Sequence, residues 1–450
     1  MTTATVELLR RLIRNGCVND GSASSGNESR SVGTLIDYFG LPGTIVEPAP
    51  GRQSLVYRVE GADPAAPSLA LLTHIDVVPA NVDGWSVDPF AAEIHEGFVW
   101  GRGAVDMLNV VASMAAAFRP YLFGEKELAG DLVFIAAADE ESGGRYGAQA
   151  LVEENWDLVR AGNVLCEVAH PAINADPDHP VIPIVVGEKG PHWTRMSARG
   201  IPGHGSAPYG SDNAIVTLAE ATSGIAASPM PVEITDTWRR FVTALDLDAD
   251  MKTALTDPDT VDTAIDTLAA DDPALARYAH AATHMTVSPN TVMGGTKTNV
   301  IADGATATVD IRTLPGTGRE EVDRYLRKSM GSAGDRIDLE PILDQDSGES
   351  EPGGLLWESV CDSIEEHTGS RSVVPTLMTG FTDARLWRQR GSVAYGVGLF
   401  DDSLTFSEFL TLFHGNDERV SLRSVDLTTA MLATALDRFA ARSASAGDRS

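Results

Sequence analysis

Ser68-Leu69-Ala70-Leu71-Leu72-Thr73-His74-Ile75-Asp76 is a short apolar run that turns polar at its end. A run of this length without a 3.6-residue period suits a strand buried on both faces, as at the centre of an α/β sheet. Residues two apart on a strand face the same side, so His74 and Asp76 project together from its carboxyl end, where such sheets place their ligands. A carboxylate beside a histidine can orient the ring and raise its basicity as a metal ligand, although a surface salt bridge explains the same pair. Residues 131–138 form a second buried run between helical stretches at 106–118 and 145–159. A helix at 5–15, a loop of small polar residues from Asn19 to Asn27 and a helix at 28–39 precede the first strand. Strand and helix alternate, which predicts a mostly parallel sheet. From about Glu188 the pattern changes to strand-like segments at 193–199 and 305–311, separated by an acidic, Ala-rich helical insert at about 214–284. That reads as a separate domain. After about 345 the α/β character returns, with a helix at 355–368, a strand at 392–397 and a last amphipathic helix at 424–441.

Composition narrows the classes. The 450 residues are 43% hydrophobic and 22% charged, which is globular, and no stretch approaches the ~20 apolar residues of a membrane helix. The N-terminal MTTATVELLRRLIRNG carries charges inside its apolar stretch, so it reads as an amphipathic helix rather than a secretory signal. The three cysteines, Cys17, Cys166 and Cys361, form no even framework and fit structural thiols in the cytoplasm. Sixty-four acids against 34 bases give a formal net charge of -30, which repels nucleic acid and anionic lipid.

Four further clusters carry chemistry. Gly101-Arg102-Gly103-Ala104-Val105-Asp106-Met107 sets a carboxylate at a Gly-rich turn before a helix, where Asp106 could also be an N-cap. Ala138-Asp139-Glu140-Glu141-Ser142 places acids at the end of the second buried strand. Clustered like charges there are costly unless a cation or proton holds them, and neighbouring acids can divide metal binding from proton transfer; a solvated turn is the alternative. Asn163-Val164-Leu165-Cys166-Glu167 again ends an apolar run on an acid, and Phe413-His414-Gly415-Asn416-Asp417-Glu418 embeds a histidine in turn residues. Two histidines and three carboxylates from separate loops suit Zn²⁺ or a similar ion with water in its shell.

With these motifs in this order from about 70 to 420, the chain resembles the M20 (M20/M25/M40) family of zinc metallopeptidases and amidohydrolases, which includes dipeptidases, aminoacylase-like enzymes, acetylornithine deacetylase and succinyl-diaminopimelate desuccinylase. The resemblance implies an α/β zinc-peptidase-like catalytic domain built from residues 1–187 and 346–450, interrupted by an α+β lid or dimerisation domain at 188–345. It implies that His74 and Glu167 hold one zinc, that Glu141 and His414 hold the other, and that Asp106 bridges them. It implies that Co²⁺ or Mn²⁺ can substitute for zinc there. Glu140 would be the general base and Asp76 would orient His74. His204, in Gly203-His204-Gly205-Ser206, resembles the lid histidine that stabilises the oxyanion, in dimeric members from the partner subunit. Asn299 and Arg312 match lid positions associated with substrate carboxylate or oxyanion, and a salt bridge is the plain alternative for Arg312. Gly380 and Thr382, in Gly380-Phe381-Thr382-Asp383-Ala384-Arg385, resemble the loop that lines the substrate pocket through its backbone donors.

The expected substrate is a small peptide or an N-acyl amino acid cleaved at a C–N amide bond. A desuccinylase or an N-carbamoyl amidase on the same scaffold is the near alternative, and a non-catalytic metal-binding protein the outsider. The sequence departs from the family at Leu108-Asn109, where lysine usually follows Asp-Met, and at Val168-Ala169-His170 after Glu167, which makes His170 an alternative ligand. His95, His179, His192, His280, His284 and His367 match no motif and read as surface or structural. Cys166 reads as a small core residue rather than a nucleophile. Dimerisation through the lid is left open by the acidic insert.

Overall fold

Every residue of the strand Leu69–His74 is buried, and its alternate side chains enter two different cores: Leu69 and Leu71 on one face, Ala70 and Leu72 on the other. This two-sided burial is why the run is continuously apolar. In the computed structural model, which describes residues 3–447 except 23, 169 and 174–178, that strand pairs in parallel with Leu132–Ala137 and Asn163–Cys166. Ala23 of the polar loop and Ala169 of the departure after Glu167 thus lie outside the described residues. Asn163–Cys166 continues in parallel to Val393–Gly396. These four strands are the centre of a nine-stranded sheet among the described residues. On one side Arg52–Val59 and then Thr44–Ala49 add antiparallel. On the other, Ile182–Glu188 receives Val373–Met378 in parallel and Gly348–Glu349 antiparallel.

Helices Ala4–Asn15, Ser29–Phe39, Leu108–Leu122, Gly354–Thr368 and Leu422–Gly447 cover one face with Leu9, Phe39, Phe118, Ile364 and Leu436. The first is delimited as its sequence suggests. The Thr3 hydroxyl accepts from Val6 N–H at 3.3 Å, and Gly16 at φ +54° ends the helix in the left-handed conformation. The opposite face is thinner, built from Leu151, Val152 and Trp387. There the helix expected over 145–159 is broken into Arg145–Gln149, Ala150–Glu154 and Trp156–Val159. Gly147 explains the break: a Cβ on it would lie 1.6 Å from the Ala138 carbonyl oxygen, so the chain passes directly against the second buried strand.

The middle of the chain forms a four-stranded antiparallel sheet in the order Thr286–Gly294, Gly304–Thr313, Gly190–Arg199, Ile337–Asp344. Strand Gly304–Thr313 alternates buried and partly exposed side chains, the period-2 signature of a sheet covered on one face. Helices Ala214–Ala227 and Arg319–Ser329 supply that cover through Leu218, Ile225, Val322 and Leu326. The two connections to the larger sheet touch at Gly190, where a Cβ would lie 2.5 Å from Ser347 N.

The helical insert expected over 214–284 divides between the two bodies. Its first helix stays on the four-stranded sheet, whereas Asp236–Ala244, Ala249–Leu255, Val261–Leu268 and Pro273–Thr283 share a core with the larger body, packing Trp238, Phe241 and Tyr278 around Val374 and Phe406. Amphipathic spacing identifies a helix's apolar face but not the surface that receives it. Part of the insert's acidity is capping: the side chains of Asp248 and Asp272 accept from Met251 and Leu275 N–H, each at the start of a helix. All three cysteines are buried and free. No helix of the described residues is long and apolar enough to cross a membrane.

His170 is not placed as a ligand. It belongs to neither group of side chains able to share an ion; its ring is buried among Phe406, Phe409 and Phe413, 5.3, 6.0 and 6.3 Å away. Its Nδ1 has no hydrogen-bond partner among the described residues. Burial without a countercharge pulls His170 down to about 4. The unfolded chain therefore binds a proton there between about pH 6.5 and 4 that the folded chain does not, and stability falls as pH drops through that window by about 1.4 kcal/mol per unit. His170→Leu is expected to shrink the loss of unfolding free energy between pH 7.5 and pH 5 by about 2 kcal/mol in denaturant titrations. An unchanged difference between the two pH values contradicts this.

Candidate metal centre

His74 ends the central strand. Its Nδ1 lies 3.1 Å from the Asp76 carbonyl and 3.5 Å from the Asp76 carboxylate, which leaves Nε2 to face the cleft. There Nε2 is 3.3 Å from both Asp106 Oδ1 and Glu167 Oε2. The other Asp106 oxygen, Oδ2, is 3.3 Å from His414 Nε2, which is itself 3.3 Å from Glu141 Oε2. His74, Asp106 and Glu167 form one group and Asp106, Glu141 and His414 another, the ligand atoms within each lying inside 4.8 Å of one another. Each Asp106 oxygen thus serves a different histidine.

The local structure explains how residues so far apart in sequence meet. Asp106 is not an N-cap: the helix after it is capped at Met107, with no side-chain cap bond. Its turn is wrapped around Glu418, a fully buried carboxylate that accepts from Val105, Asp106 and Gly103 N–H at 2.6, 3.0 and 3.1 Å and from the Arg102 guanidinium at 2.8 Å. The sequence signal for Glu418 is an acid four residues after His414 in a turn, which does not by itself show this role. The Glu140–Glu141 turn is held similarly. Asp76, also fully buried, accepts from Glu140 N–H and Glu141 N–H, both at 3.2 Å. Asn19, unmarked by any motif, donates to Asp76 and Asp139 from behind.

The electrostatics reflect acids crowded out of water. Burial, followed by the charge of Asp106, pushes Glu141 up to about 7, and its Oε1 is buried without a partner among the described residues. Burial and then Glu167 raise the Glu140 carboxyl well above its ordinary range. For His414, burial opposes the proton, but hydrogen bonds and charge from Asp106 and Glu141 outweigh it and raise the ring to about 10. Two imidazoles and three carboxylates, with an orphaned oxygen and insufficient positive charge around them, fit a pair of divalent ions.

The remaining candidates fall elsewhere. His204 and Asn299 sit together on a small ribbon, in which His204 pairs with Val300 and the Asn299 carbonyl accepts from Gly205 N–H at 2.8 Å. His204 is exposed there, and its Nδ1 is 2.8 Å from Ser206 Oγ. Arg312 makes two bonds to Asp310, of 3.1 and 3.0 Å, and its guanidinium stands 5.6 Å from the Phe381 ring centre. A Cβ on Gly380 would lie 3.5 Å from that guanidinium, so the lid arginine and the Gly380 loop meet. The Thr382 hydroxyl is committed to the buried Glu188–Arg388 pair, donating to Glu188 at 2.6 Å. Asp383 is buried 3.7 Å from Arg385, with neither oxygen hydrogen-bonded among the described residues.

The chain is similar to known proteins along most of its length. The chain is 28% identical over 449 residues to succinyl-diaminopimelate desuccinylase of Rhodospirillum centenum, covering 98% of each chain. It is 26% identical over 408 residues to human aminoacylase-1, covering 88% of this chain and 86% of that one. Its fold matches an M20 family metallo-carboxypeptidase from Sulfolobus solfataricus with a TM-score of 0.74 at 16% identity, over 98% of this chain and 100% of that one. With residues 70–438 matching the description of the whole family, the chain belongs to peptidase family M20/M25/M40.

Proposed function

We propose that this enzyme hydrolyses a C–N amide bond in a small peptide or an N-acyl amino acid, with Glu140 as general base beside two zinc ions. The observation that carries the reading is the division of Asp106, one oxygen to His74 and the other to His414. His74 and Glu167 would hold one ion, Glu141 and His414 the other, and Asp106 both. When bound, such ions supply Lewis acidity toward the amide carbonyl and acidify water. Glu140, buried and raised, takes a proton from the attacking water at its carboxylate and returns it to the leaving nitrogen. Asp76 fixes which His74 nitrogen faces the cleft and holds the Glu140 backbone. Co²⁺ or Mn²⁺ would serve in the same ligands.

Arg312 is the proposed partner of a substrate carboxylate, exchanging Asp310 for it at the Gly380 loop. Thr382 contributes its backbone, since its hydroxyl is occupied. The similarity to a desuccinylase along nearly the whole chain favours an N-succinyl substrate as the second reading.

His204 and Asn299 would act from a partner subunit. The strand Thr286–Gly294 is an edge of its sheet among the described residues, with Val292 and Met293 63% and 70% exposed. Ile215 and Val216 of the neighbouring helix are exposed beside it. An unpaired edge with apolar side chains suits a two-fold contact with a second copy. Free, buried thiols support the cytoplasm as its location.

Three outcomes are expected. Metal-free protein regains hydrolysis of a panel of dipeptides and N-acetyl and N-succinyl amino acids as two equivalents of Zn²⁺ are added; binding without turnover of any member contradicts the reading. Glu140→Gln lowers kcat by at least about 100-fold while leaving zinc affinity nearly unchanged; retained turnover removes Glu140 from the base role. Met293→Glu converts a sedimenting dimer to monomers and cuts activity with it, whereas a wild-type chain that sediments as an active monomer refutes the partner role of His204.

A further inference from the structure

Asn19 lies in the loop after the first helix, only 2% exposed. Its own backbone N–H donates to the Val77 carbonyl at 2.9 Å, which fixes the loop to the end of the central strand. The side chain faces two chemically opposite sets of partners. Nδ2 donates to Asp76 Oδ2 at 2.9 Å and to Asp139 Oδ1 at 3.0 Å. Oδ1 accepts from Ser142 Oγ at 2.8 Å, from Gly21 N–H and the Arg52 guanidinium at 3.1 Å, and from Ser25 Oγ at 3.3 Å. Carboxylates only accept, and a guanidinium and a backbone N–H only donate, so this chemistry fixes the orientation of the amide.

The partners bracket a single turn. Asp139 stands immediately before Glu140 and Glu141 and adopts φ +67°, a left-handed conformation that a non-glycine residue needs local bonds to keep. Its second oxygen accepts from Tyr146 N–H at 3.0 Å. Ser142 stands immediately after. Asp76 holds both intervening N–H groups and lies 3.5 Å from His74 Nδ1. Asn19 is therefore tied to the entrance of the turn, to its exit and to the carboxylate beneath it. Arg52, braced by Glu28 at 2.7 Å, fixes Asn19 from the far side. Without the amide, the Asp76 and Asp139 carboxylates would lose their shared donor in a buried space.

We infer that Asn19 is a positioning residue for the Asp139–Ser142 turn, and through it for the Glu140 and Glu141 carboxylates. The inference rests on the reading of Glu140 as base and Glu141 as ligand. No single-residue motif signals such a role, because its partners lie 57, 120 and 123 residues along the chain.

Asn19→Asp is the sharpest test, since it keeps the shape and the accepting oxygen and turns both donated bonds into contacts between carboxylates. In the full chain, kcat is expected to fall about 10–100-fold with KM changed less than about threefold, and calorimetric titration of the metal-free protein with Zn²⁺ should show one equivalent weakened about 10–100-fold. Adding Asp139→Asn to Asn19→Asp restores a donor between the two positions and should recover kcat at least about fivefold, which a loss of general stability would not allow. Ser142→Ala removes only the 2.8 Å bond at the exit of the turn and should lower kcat about 3–10-fold even if the Asn19 variant does not fold. Unchanged kcat and zinc affinity in Asn19→Asp, absence of recovery in the double variant, or unchanged kcat in Ser142→Ala overturns the inference. If the parent chain neither binds zinc nor cleaves the panel, the reading of the centre itself fails, and the inference with it.

Discussion

Repulsion among the acids gathered beyond the carboxyl ends of the central strands is the constraint to which the surrounding structure responds. Asp76, Asp106, Asp139, Glu140, Glu141 and Glu167 converge there, and in a medium less polar than water each charge disfavours its neighbours. The chain answers with three kinds of positive partner. The imidazoles of His74 and His414 interleave the acids that would hold metal. Backbone N–H groups of the two turns point at Asp76 and Glu418. Arg52 and Arg102, both buried, neutralise the acids one step further out. The carboxylates of Asp106, Glu141 and Glu167 and the two imidazoles form the two groups of side chains close enough to share an ion.

The joint between the larger body and the four-stranded sheet is organised around one buried lysine. Lys189, fully buried, sits between the two sheets and donates to the carbonyls of Ala281 and His284 at 2.8 and 2.6 Å, at the carboxyl end of the last insert helix. Burial, reinforced by Arg312, lowers its ammonium to about 7. Its backbone N–H is shared by the carbonyls of Met378 and Gly380. One residue thereby connects the insert, the joint and the loop that Arg312 meets. The later helices of the insert buttress the larger body while its first helix stays on the smaller sheet, whose edge strand leaves Val292 and Met293 exposed.

His74, Glu140, Glu141 and Glu167 stand out in the sequence as polar ends of apolar runs, and Asp106 and His414 as residues of Gly-containing turns, whereas their division into proposed ligands and base came from the family resemblance. The central parallel strands were legible for the same reason, being continuous in apolar residues. The flanking strands Thr44–Ala49 and Arg52–Val59 were not, since the first is largely exposed and the second buries Arg52 and Ser54 as partners of the site's outer network. Asn19, Arg52 and Glu28 left no trace because their meaning lies in partners distant in sequence. Thr382 was legible as a position in a loop but not in its commitment to Glu188. Spacing reports which side chains share a face; it does not report which of several polar neighbours each one chooses.

The most direct test of the proposed centre is anomalous diffraction from crystals of the full chain grown with Zn²⁺. Two peaks are expected on either side of the Asp106 carboxylate, roughly 3.5–4 Å apart, one beside His74 and Glu167 and the other beside Glu141 and His414. A single peak, or zinc bound away from Asp106, would contradict a shared two-ion centre and with it the mechanism built on Glu140.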